Sequence, residues 1–131
     1  LEANVVLPGY LYEPEYGLAL RSLDAFLFLV PGSDGTCRAV REAMALGLPV
    51  LATRRGILPE LVGGGDEYGP AGAVVAESVE QLATTLVAWH DDADRRAELG
   101  RAAARRVDES MDPEQAARRL LAFYERLSAE R

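Results

Sequence analysis

Between residues 25 and 53 the chain reads apolar run, turn, helix, glycine, apolar run, and few folds accommodate that order. Ala25, Phe26, Leu27, Phe28, Leu29 and Val30 are apolar without alternation, as a parallel strand covered on both faces must be, and Pro31 and Gly32 stop the run. Ser33, Asp34, Gly35 and Thr36 make a polar turn. Residues 37–46 then carry Val40, Met44 and several alanines at helical spacing and end at Gly47. Pro49, Val50, Leu51 and Ala52 form the next short buried strand. Two strands around one helix are the crossover that parallel strands require, so a βαβ unit is expected, with its first strand central in the sheet.

The flanks extend this pattern. Val5, Val6 and Leu7, closed by Pro8 and Gly9, read as a further buried strand. Tyr16, Leu20 and Leu23 recur at helical spacing behind Pro14, which a first helical turn tolerates. After the βαβ unit, residues 57–62 suit a short helix ended by Gly63, Gly64 and Gly65, and Ala73, Val74 and Val75 suit a fourth strand. From Ser78 onward only helices are expected. Ser78 and Gln81 have capping-box spacing for a helix to about Trp89, a second helix covers residues 94–108, and a third starts at Asp112 and Pro113. Ala116, Leu120, Phe123, Tyr124 and Leu127 give that last helix an apolar stripe that reads as core. The fold class is α/β: a Rossmann-like, doubly wound parallel sheet with C-terminal helices, small for its type and incomplete at its N-terminal side.

Composition narrows the function classes. At 131 residues and 49% hydrophobic content the chain fits one domain with one core. A net charge of -7 argues against nucleic acid as a partner, since phosphate backbones are held by dense positive charge. One cysteine, Cys37, permits no internal disulfide and suits a reducing, cytoplasmic setting. With one histidine besides, the usual ligand count for a metal is not met, and no cofactor is called for. No apolar run approaches the roughly 18 to 20 residues of a membrane span, which leaves peripheral membrane association of a longer protein open. The first residue is Leu1, directly before a strand-like run, so a piece of a longer chain is expected.

Open α/β sheets bind ligands at the carboxyl ends of their strands, and the richest such end lies at residues 31–37. There the amides of Gly35, Thr36 and Cys37 stand at the positive end of a helix dipole, either to receive phosphate oxygens or simply to make a tight connection. Glu42 sits about two turns into the helix among apolar neighbours. A desolvated carboxylate is costly, so Glu42 either pairs with an arginine or accepts hydrogen bonds from ligand hydroxyls, of which a ribose offers two. Arg38, four residues earlier, reaches either Glu42 or a phosphate. Arg54 and Arg55 lie at the next strand end, as solvated loop residues or as positive charge for the cleft, and Glu60 either caps its short helix or touches a donor hydroxyl. Cys37 and His90 are too far apart in the pattern for a nucleophile–base pair, and His90 suits a surface position at a helix end.

Asp34 and Gly35, then Glu42, Ala43, Met44 and Ala45, then Gly47, Leu48, Pro49, Val50, Leu51, Ala52 and Thr53, resemble the signature of retaining glycosyltransferases of the GT-B type. That signature has two acidic residues eight positions apart, an alanine–methionine–alanine helix end and a glycine-x-proline-valine strand. Gly56 to Glu60, Asp91 to Gly100, and Phe123 with Tyr124 are similar to later parts of the family, so the resemblance covers nearly the whole chain. It implies that residues 1–131 are a partial C-terminal nucleotide-sugar-binding domain whose N-terminal acceptor-binding domain is missing, and that the partner is a nucleotide sugar. It further implies that Glu42 binds the ribose hydroxyls, that the amides of Thr36 and Cys37 contact the diphosphate or the sugar, and that Asp34 lies near the sugar. Gly9, Tyr10 and Leu11 would border the nucleobase.

Two departures stand out. Asp34 replaces the usual glutamate, and Thr36 and Cys37 replace an aromatic–glycine pair. The family's arginine and lysine pair, which neutralises the departing diphosphate, would lie upstream of Leu1, so no catalytic residue is assigned within this segment and turnover by it alone is not expected. The runner-up reading is a nucleotide-binding or interaction module that kept the fold and lost transfer. A nucleotide-sugar epimerase shares the GT-B arrangement but needs catalytic carboxylates and histidines that this segment does not show.

Overall fold

A computed structural model describes residues 2–30 and 37–129. After a 3-10 turn at Glu2–Asn4 come α1 (Glu15–Arg21), β1 (Phe26–Phe28), α2 (Arg38–Ala45), β2 (Val50–Thr53), α3 (Leu58–Val62) and β3 (Gly72–Val75). Three helices close the chain: α4 (Val79–Asp91), α5 (Ala93–Ser110) and α6 (Pro113–Ala129). The strands form one parallel sheet in the order β1-β2-β3, with Phe26 opposite Val50 and Val50 opposite Gly72.

The central strand is β2, and the reason is legible in its residues. All four are buried, with Val50 and Ala52 facing one helical layer and Leu51 the other. The first layer joins Cys37, Val40 and Met44 at and within α2 to Leu58, Leu61 and Val62 of α3 and Ala103 of α5. The second holds Leu51 against Trp89 of α4 and Leu99 of α5. Helices on both faces of a parallel sheet make the doubly wound α/β architecture expected from the sequence.

Where α2 turns into β2, Gly47 adopts φ +75°, a conformation that glycine enters without a Cβ penalty. Its amide donates to the Met44 carbonyl at 2.9 Å, and that of Leu48 to the Ala43 carbonyl at 3.1 Å, the paired bonds of a Schellman cap. Gly100 of α5 packs onto this cap so closely that a Cβ there would stand 2.0 Å from the Gly47 oxygen. At the start of α4 the Ser78 hydroxyl accepts from the Gln81 amide at 3.3 Å, while the Gln81 side chain accepts from the Ala76 amide at 2.9 Å. The reciprocal bond thus reaches two residues further back than a capping box requires.

Three expectations need correction. Val5, Val6 and Leu7 are not a strand; they run as an exposed, irregular segment, so the described sheet has three strands rather than four. Among the described residues β1 lies at the edge of the sheet, paired with β2 and not central, and Leu27 is 41% exposed. Its unbroken apolar run therefore does not report cover on both faces. The stripe on α6 packs on nothing among the described residues, and Leu120, Leu121, Phe123, Tyr124 and Leu127 are all exposed.

Candidate functional site

A concavity of about 710 Å3 opens where the loop before α1 faces the first two turns of α2. Gly9, Tyr10, Leu11, Tyr12 and Glu13 form one wall with Tyr16 of α1, and Arg38, Ala39 and Glu42 form the other. Tyr10 and Tyr12 are exposed at its edge, their ring centroids 5.0 Å apart and tilted by 52°. Because α2 follows β1, its first turns stand at the carboxyl end of the sheet, where open α/β folds take their ligands.

Glu42 is held from two sides. The Tyr16 hydroxyl donates to Oε2 at 2.7 Å, and Arg38 Nε donates to Oε1 at 2.7 Å. Partial burial works to raise the Glu42 carboxyl, but these two donors and the Arg38 charge outweigh it and hold the group below its usual range. Glu42 is therefore an anion at neutral pH. The same contact acts on Tyr16: burial first, then the bond to Glu42, push its hydroxyl up to about 12. Arg38 is raised by its bond to Glu42 as well, although its side chain is 85% exposed.

The N-cap residue of α2, Cys37, makes no side-chain cap bond, and the first turn carries no acidic residue. The amides of Arg38, Ala39 and Val40 have no partner inside the helix, as the first turn of any α-helix requires, and Ala39 and Arg38 line the cleft. Dipole and unsatisfied donors together favour an anion at this end.

Of the residues singled out in the sequence, Gly9, Tyr10, Arg38 and Glu42 come together in this cleft, and Cys37 is fully buried at the entry to α2. Asp34, Gly35 and Thr36 lie outside the described residues. Arg55 is paired with Glu77, and Arg54 is exposed. His90 borders a separate cavity of about 170 Å3 with Asp24, Trp89 and Arg96, and the cation at that helix end is Arg96, which donates to the carbonyls of Trp89 and His90. Tyr12, Glu13 and Tyr16 were not anticipated at the site. Tyr16 had only the apolar spacing of a core residue, and its partner lies 26 positions away.

A parallel sheet wrapped by helices, with an anionic side chain and a helix start in one cleft at the carboxyl end of the sheet, defines a Rossmann-like α/β fold. A family model described as Glycosyl transferases group 1 matches residues 1–106, and the chain belongs to that family. The lipopolysaccharide core biosynthesis mannosyltransferase LpsB of Rhizobium meliloti (strain 1021) is 36% identical over 109 residues, covering 82% of this chain and 30% of that protein. The putative colanic acid biosynthesis glycosyltransferase WcaL of Escherichia coli (strain K12) is 32% identical over 136 residues, covering 97% of this chain and 32% of the relative. Among solved structures, sucrose-phosphate synthase from Thermosynechococcus elongatus aligns with a TM-score of 0.62 and 26% identity over 80% of this chain and 26% of its own. The chain thus spans about a third of the length of the curated relatives it matches. No described helix is long and apolar enough to cross a membrane.

Proposed function

We propose that residues 1–131 are the nucleotide-sugar-binding part of a retaining glycosyltransferase, a cytoplasmic enzyme that moves a sugar from a nucleoside diphosphate sugar to a glycan, lipid or small acceptor. The observation that carries this reading is the Glu42 carboxylate, kept ionised in the cleft about one turn along a helix whose start faces the same space. A ribose presents two vicinal hydroxyl donors to such an anion, and a diphosphate presents oxygens to such a helix start. Gly9 and Tyr10 border the base, Arg38 stands at the phosphate side of the cleft, and the family resemblance assigns the contact with the diphosphate and sugar to Asp34, Gly35 and Thr36, with buried Cys37 next in the chain. No metal or further cofactor enters. The printed names of the bacterial relatives, in lipopolysaccharide core and colanic acid synthesis, favour a glycan acceptor. Transfer itself calls on an acceptor-binding partner domain and on cations beyond these residues to stabilise the departing diphosphate.

The decisive experiment replaces Glu42 with Ala in the full-length protein and measures donor affinity by calorimetry. The ribose hydroxyls lose a charged acceptor, so affinity should fall by about 1 to 3 kcal/mol. Unchanged affinity would show that Glu42 serves only its pairing with Arg38 and Tyr16, and no saturable binding by the wild type would favour the alternative, a nucleotide-binding or interaction module that has lost transfer activity.

A further inference from the structure

Tyr16 and Arg38 hold the same carboxylate, but not equally. Arg38 is a long side chain, 85% exposed, whose ion pair is free to exchange with water. Tyr16 is short, half-buried and fixed to α1, which is itself anchored by buried Leu20. Its hydroxyl reaches one place, Oε2 of Glu42. A carboxylate has about four lone-pair positions on its two oxygens, so one bond to each oxygen leaves one free position on each, a pair suited to two neighbouring hydroxyls.

Resting on the donor-cleft reading above, we infer that Tyr16 is the positioning residue of this cleft: its bond to Oε2 fixes the Glu42 carboxylate so that both ribose hydroxyls are read, making the site selective for ribonucleotides over deoxyribonucleotides. The residue touches the carboxylate and not the ligand. Because its hydroxyl stays protonated up to about pH 12, it remains a donor throughout the physiological range. Without it the carboxylate follows the exposed guanidinium of Arg38, and the free lone pairs no longer face the two hydroxyls together.

The test uses the full-length protein and three probes, UDP, GDP and ADP, each beside its 2′-deoxy form. For the probe that binds most tightly, Tyr16→Phe should lower the ratio of deoxy to ribo Kd by about five- to tenfold through weaker binding of the ribo form. The deoxy form should bind nearly as before, which general loosening of the cleft would not produce. Glu42→Ala should remove the discrimination altogether. If it does while Tyr16→Phe keeps the wild-type ratio, the positioning role is overturned and the donor cleft stands. If Glu42→Ala changes nothing, or none of the probes binds the wild type, the donor-cleft reading itself fails. A structure of the wild-type complex gives an independent answer: Tyr16 still bonded to Oε2 with the ribose on the remaining positions supports the inference, and a Tyr16 swung away from Glu42 refutes it.

Discussion

The two ends of α2 have been built for opposite purposes. At the C-terminal end, Gly47 and Leu48 return their amides to the last carbonyls, and Gly100 of α5 closes over the turn with no room for a methyl group. At the N-terminal end the side chain of the N-cap residue, Cys37, makes no cap bond, and the space in front of the first two turns is a cleft of about 710 Å3. Eight residues separate a backbone end satisfied by its own returning amides and one whose first amides have no partner inside the helix. On the proposed function, stability and binding share one helix: the closed end sets where α2 sits against β2 and α5, and the other end presents Arg38, Ala39 and Glu42 to the cleft.

The comparison can be broken most forcefully at the closed end. Gly100→Ala puts a Cβ against the Gly47 carbonyl, and since both partners are backbone, one helix must shift; the cost should be about 3 kcal/mol by denaturant unfolding. Below the unfolding transition, nucleotide affinity should survive better in Gly100→Ala than in Glu42→Ala, whose loss falls on binding while the unfolding midpoint moves little. A smaller effect sharpens the other end. Because the Tyr16 hydroxyl is raised from 10.0 to about 12 in the fold, the neutral form is the one stabilised there. Its contribution is fully present below pH 10 and is lost as pH rises toward 12. The stability difference between wild type and Tyr16→Phe should therefore be constant near neutrality and close over that alkaline window. A difference that persisted at the top of the window would mean that the hydroxyl contributes by something other than its protonated bond to Glu42.

Much of this was written locally. The helix from Arg38 to Ala45, its glycine end and the strand from Val50 to Thr53 lie within a residue or two of where spacing and turn residues place them, because each signal is short-range. Glu42 was legible as a carboxylate in need of a partner. What could not be read was which surface covers which. α5 and α6 are both long amphipathic helices, yet Leu99, Ala102 and Ala103 of α5 are buried while every apolar residue of the α6 stripe is exposed. The difference is set by close approach: the small residues of α5 let α2 pack against it, and the larger ones of α6 have no facing element among the described residues. Periodicity reports an apolar face and is silent about its cover. The same limit concealed Tyr16, whose spacing suited a core position and whose partner was supplied by a different helix.

The central claim is that the N-terminal end of α2, and not its closed end, receives a nucleoside diphosphate. Amide chemical shifts of the labelled protein, followed while UDP, GDP and ADP are titrated in turn, read both ends in one experiment. Saturable shifts at Arg38, Ala39 and Glu42, with Tyr16 moving alongside and Leu46 to Leu48 still, are the predicted result. Shifts absent from residues 38–42 for every nucleotide, or confined to the Gly47 turn, would contradict it.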